Sequence, residues 1–149
     1  MIIFPYENMV GVDIDSTLVF TVTPKHIWTP VDGTDDVGPL FAKYDGLDMS
    51  SYDLTLNDPY GHMGTIYLKK HLPNINLVKR CHARGDKLFV WSMAGAKWAE
   101  LVAKALDMEQ YFEFAMAKPN KYIDDKDAVT WIGPRQWLDP THEGAWQNV

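Results

Sequence analysis

The chain has 149 residues, 46% of them hydrophobic, with six tryptophans and one cysteine. That size and apolar content exclude a disordered chain and fit a single domain over residues 1–149 with a proper core, while the lone Cys81 excludes an intrachain disulfide framework. The net charge of −6 is concentrated between residues 30 and 64, where seven aspartates face Lys43 alone; with no basic stripe elsewhere, a long nucleic-acid partner is disfavoured.

No apolar run approaches the ~20 residues of a membrane helix. The opening Met1-Ile2-Ile3-Phe4-Pro5 lacks the basic region of a secretory signal. The expectation is a soluble, cytoplasmic protein with no membrane partner.

In chain order, Met9 to Ile14 predicts a short buried strand, ending in two carboxylates, Asp13 and Asp15. Thr17 to Thr23 is β-branched and stops at Pro24, so it reads as extended. Thr29 to Gly64, rich in Pro, Gly and Asp, has no sustained helical period; a structureless loop of that length is unusual, so a lid or small insert is expected. From Pro73 the pattern becomes helical: Ile75, Leu77, Val78 and Cys81 share a face, Asn74 is a candidate N-cap and Gly85 a stop. Lys87 to Trp91 predicts a buried strand, and Ala96 to Met108 an amphipathic helix with Trp98, Leu101, Val102, Ala105 and Leu106 inward. Phe112 to Met116 is a third strand candidate, and Lys121 to Ile123 begins a fourth. Ala128 to Ile132 suits a last strand or a helix start, and residues 134–149 an irregular tail pinned by Trp137 and Trp146.

Strands alternating with helices predict an α/β fold with a parallel sheet and helices on both faces. Ligands in such sheets sit at the C-terminal ends of the strands. Every chemistry-bearing segment falls there: Asp13-Ile14-Asp15-Ser16-Thr17, Ser92-Met93, Lys118 and Asp124-Asp125.

Asp-x-Asp-x-Thr alone suits a cation loop or an Asx turn, but an EF-hand would want Gly at Leu18 and Glu at Pro24, and neither is there. Behind a buried strand, the two carboxylates favour a site. Ser92, before the helix beginning near Ala96, offers a hydroxyl and nearby backbone N–H groups for a phosphate, or is a simple N-cap. Lys118, before Pro119, is a fixed cation or a solvated lysine, with Lys121 its nearest rival. Adjacent carboxylates such as Asp124-Asp125 repel unless a cation joins them. Cys81-His82 has no partner motif, and His26, His62, His71 and His142 show no zinc spacing.

Taken in order, these motifs resemble the haloacid dehalogenase-like hydrolases, from Met9 to Asp127. The resemblance implies a three-layer Rossmann-like sheet, with a β-hairpin flap and a small acidic insert across residues 18–70. It implies a magnesium-dependent phosphatase that hydrolyses phosphate monoesters through an aspartyl-phosphate. Asp13 is then the nucleophile, Asp15 the general acid and base, and Lys118 the cation beside the phosphate. Thr17, Ser92, Met93 and Lys118 bind substrate; Asp13, the Asp15 carbonyl, Asp124 and Asp125 hold Mg2+; Asp127 is a helix-terminal or outer acid. Ser16 departs from many relatives, which carry an acidic residue or Gly there. The expected substrate is a small phosphorylated metabolite or nucleotide; a phosphoserine peptide and a silent phospholigand binder are the alternatives. A receiver domain shares the residue types, but a second acidic pair after the lysine runs against its order.

Overall fold

The computed structural model describes residues 8–22 and 52–136 of the chain. Among these, β1 (Met9–Asp13), β5 (Lys87–Ser92) and β6 (Ala115–Ala117) form a parallel sheet in the order β1-β5-β6. A second, antiparallel sheet has the order β2-β4-β3, from Val19–Val22, Thr65–Lys70 and Leu54–Asn57. Two helices, α1 (Leu72–Ala83) and α2 (Ala96–Ala105), connect β4 to β5 and β5 to β6.

The alternation of β5 decides which face is core. Leu88, Val90 and Ser92 are buried, whereas Phe89 and Trp91 between them are half-buried. Leu88 and Val90 share one apolar cluster with Ile75, Leu77, Val78 and Cys81 of α1 and with Trp98, Ala99, Val102 and Ala103 of α2. Both helices therefore lie on the same face of the parallel sheet. Right-handed crossovers between strands added successively in one direction place them so. On the other face Phe89 stacks on Phe114 and meets Trp91 edge-on, each pair with ring centroids 5.1 Å apart. Gly11 lies beneath them, where a Cβ would come within 2.8 Å of the Phe89 ring. The expected helices on both faces are thus absent from the described residues, where the second face is aromatic.

Several boundaries shift from the sequence reading. The first helix is capped not by Asn74 but by His71, whose Nδ1 accepts the Asn74 N–H at 3.1 Å. Gly85, at φ 94°, takes up the left-handed conformation just beyond the last turn. The third strand starts at Ala115, after a 3-10 turn at Glu109–Tyr111. No strand forms at residues 121–123: Ile123 is fully exposed and Tyr122 largely so. Ala128–Thr130 is a single 3-10 turn, with Asp127 at its N-terminal boundary. The part of the acidic insert at residues 29–51, and Trp137 and Trp146, lie outside the described residues.

Residues 52–70, expected within the flap and insert, form a hairpin. Its tip is organised by Asp58, whose carboxylate accepts N–H groups of Tyr60, His62 and Met63 at 2.7–2.8 Å. Those bonds, that from Tyr60 foremost, hold the Asp58 carboxyl below its ordinary value of 3.8. A carboxyl whose folded pKa is depressed stabilises above the unfolded value, and its contribution is lost as pH falls through the folded one. The tip should hold at neutral pH and loosen only in strong acid. Asp58→Ala should reproduce the loosened tip at pH 7, read as faster amide exchange at Tyr60, His62 and Met63; unchanged exchange would contradict this role.

Candidate functional site

Parallel pairing brings the C-terminal ends of three strands together. Asp13 pairs with Trp91, and Ser92 pairs with Ala117, so the ends of β1, β5 and β6 meet at one edge. Beyond β1 the chain turns sharply: the Ile14 carbonyl accepts N–H groups of Thr17, Leu18 and Val19 at 3.2, 2.9 and 3.3 Å. Ser16 sits in this turn with φ 61°, a left-handed conformation that costs an L-residue ~1–2 kcal/mol. Ile14 and Leu18 are fully buried, so the turn is anchored in the core while Asp13 and Asp15 remain at the mouth.

Asp13 is held on both oxygens. Lys118 Nζ lies 3.1 Å from Oδ1, and the Thr17 hydroxyl donates to Oδ2 at 3.1 Å. Thr17, which the resemblance assigns to substrate binding, thus braces the Asp13 carboxylate. Lys118 is placed by its own N–H, which donates to the Ser92 carbonyl at 2.9 Å. Its ammonium lies 5.7 Å from the centre of the Trp91 ring, within cation–π range. With side chains 30% and 31% exposed, the Lys118–Asp13 pair is neither dry nor fully solvated.

Asp15 keeps one side open to solvent, but its carboxyl oxygens meet two buried partners. The indole N–H of Trp98 donates to both, at 3.1 and 3.2 Å. The Ser92 hydroxyl donates to Oδ2 at 3.3 Å and accepts the Ala94 N–H at 3.0 Å. Burial of the carboxyl pushes the Asp15 pKa up; the Trp98 bond opposes this, the negative charge of Asp13 adds to it, and the Ser92 bond opposes it. Ser92, only 1% exposed, is committed to Asp15 and Ala94. Met93 beside it is 84% exposed at the surface.

Trp98 and Asn74 are contributors that the sequence reading missed. Periodicity marks Trp98 as an apolar helix residue; the available signal is that a buried indole N–H needs an acceptor. Asn74, 3% exposed, donates from its side chain to the Thr17 carbonyl at 3.0 Å, tying the start of α1 to the turn after β1. The hairpin tip borders the same region. Tyr60 Oη accepts the Lys97 N–H at 3.2 Å, and a Cβ on Gly95 would run into that hydroxyl.

Asp124 and Asp125 do not join this grouping. Asp124 accepts the Lys126 N–H at 3.0 Å, both residues are exposed, and the described residues hold no set of three or more His, Cys, Asp or Glu side chains arranged to hold a metal ion. Magnesium, however, takes hard oxygen ligands and commonly uses only one or two carboxylates, with water and phosphate oxygens filling the rest. The Asp13 carboxylate and the Asp15 backbone carbonyl two residues on, at an open mouth, are oxygen donors of that kind. No helix among the described residues is long and apolar enough to cross a membrane. Neither protein-family models nor curated proteins give a match to this chain.

Proposed function

We propose that this protein is a magnesium-dependent phosphatase of the haloacid dehalogenase-like kind, acting on a small phosphorylated metabolite or nucleotide in the cytoplasm. The observation that carries this reading is the Asp13 carboxylate, gripped by Lys118 Nζ and the Thr17 hydroxyl at 3.1 Å each, with Asp15 two residues on.

A phosphate monoester repels nucleophiles by its own charge, so catalysis rests on positioning and neutralisation. An Asp13 oxygen attacks phosphorus as the bond to the leaving oxygen breaks, giving an aspartyl-phosphate. Asp15 delivers its proton to that leaving oxygen, which departs as an alcohol. In the second half Asp15 takes a proton from water as the water oxygen attacks phosphorus. The bond to Asp13 then breaks, releasing inorganic phosphate and restoring the carboxylate. Lys118 holds positive charge beside Asp13 and the incoming phosphate throughout. Magnesium held by Asp13 and the Asp15 carbonyl would neutralise phosphoryl oxygen charge. The raised pKa of Asp15 suits the acid role, which needs a proton on it when the bond breaks.

Docking of Tyr60 against residues 95–97 supports a small substrate, since it walls one side of the mouth. The finer fold belongs to the same proposal. β1 pairs only with β5 among the described residues, and a three-layer sheet would place a further strand on its other edge.

The test is phosphate release from nucleoside monophosphates, sugar phosphates, phosphoserine peptides and a chromogenic ester, with magnesium and with chelator. Release that needs magnesium and prefers the small esters is expected. Release from none of them by the folded protein would remove the proposal, and preference for the peptides would reassign the substrate.

A further inference from the structure

We propose that Trp98 is a positioning residue for proton transfer: its indole N–H fixes the orientation of the Asp15 carboxyl at the mouth. This rests on the reading of Asp15 as the proton donor.

The indole N–H lies within 3.1 and 3.2 Å of Oδ1 and Oδ2, so it spans the carboxyl instead of bonding one oxygen. Rotation of the carboxyl plane would break that arrangement. The Ser92 hydroxyl adds a second donor on Oδ2 alone. Oδ2 therefore accepts from two donors and Oδ1 from one, so the carboxyl is held asymmetrically, with Oδ1 the less occupied oxygen. The donors are themselves fixed. Trp98 is 5% exposed and belongs to the core cluster with Ala99 and Val102. Ser92 is held by the Ala94 N–H. Both sit on one short connection, the end of β5 and the first turn of α2, so strand, turn and helix aim two donors at one carboxyl from far along the chain. A proton donor must present its proton along one direction in the transition state, and small misplacements are costly there.

The proposal predicts a loss that depends on the leaving group. An alkoxide is a poor leaving group and needs the proton, whereas 4-nitrophenolate departs without it. In the full chain, Trp98→Phe retains an aromatic ring and removes the N–H. Its kcat/KM, which reports the steps up to leaving-group departure and not the later attack of water, should fall ~10²-fold on an alkyl phosphate and by no more than ~3-fold on 4-nitrophenyl phosphate. Equal losses on both esters, or none on the alkyl ester, would overturn the proposal. A wild-type protein inactive on both esters would instead remove the phosphatase reading, and this proposal with it. If the variant does not fold, the indole N–H resonance of Trp98 in Asp15→Ala decides: it should move as its acceptor is lost, and an unmoved resonance would overturn the contact.

Discussion

Asp13→Asn should lower magnesium-dependent phosphate release by ~10⁴-fold or more, the scale on which removal of a covalent nucleophile acts, with little change in melting temperature. The amide is nearly the same size, and β1 is held by backbone pairing of residues 9–13 with 87–91. What changes is charge and nucleophilicity. Lys118 loses the anion 3.1 Å from its ammonium, and on the proposed mechanism phosphorus loses its attacking carboxylate. Because the ion pair is about a third exposed, its loss should cost the fold ~1 kcal/mol at most. Activity and thermal unfolding measured on the same preparation check both halves. Residual turnover within tenfold of wild type would move the nucleophile elsewhere.

The opposite pattern is expected at Ile14, the residue between the two carboxylates. Its side chain is fully buried in the main core cluster, and its carbonyl gathers the N–H groups of Thr17, Leu18 and Val19. Ile14→Ala should destabilise by ~2–5 kcal/mol, and Ile14→Val by ~0.5–1.5 kcal/mol. Against a typical total of ~5–15 kcal/mol, the larger loss threatens the fold. Urea midpoints at constant slope would measure both. Equal midpoints for the Ala and Val variants would show that the turn is not anchored by this side chain.

The first strand was legible because it is a short apolar run, and it ends one residue earlier than expected, at Asp13, with Ile14 already in the turn and buried. Lys87–Ser92 and Ala96–Ala105 were legible for a related reason, since each buries one regular stripe. The start of α1 was misplaced because a histidine ring nitrogen serves as the cap, outside the usual Ser, Thr, Asp and Asn code. β3 and β4 were hidden because only Leu68 among Leu54–Asn57 and Thr65–Lys70 is fully buried and the two strands flank an Asp- and Gly-rich tip that reads as solvated loop. The expected strand at residues 121–123 rested on Tyr122 and Ile123, and both are exposed instead. Trp98 escaped notice because periodicity counts an indole as apolar and ignores its one polar atom.

Thr17 aside, the two carboxylates find their partners at great distance along the chain: Asp15 meets Ser92 across 77 residues and Trp98 across 83. Contacts of that separation carry the full entropy of loop closure and form slowly. In a refolding experiment, local elements such as α1 and the β3–β4 hairpin should gather early, and the mouth should be among the last features to close. A fragment ending before β5 would keep both carboxylates and lose Ser92, Trp98 and Lys118. The constellation thus reports on completion of the whole fold, and a destabilised variant should lose it in step with global unfolding and not piece by piece.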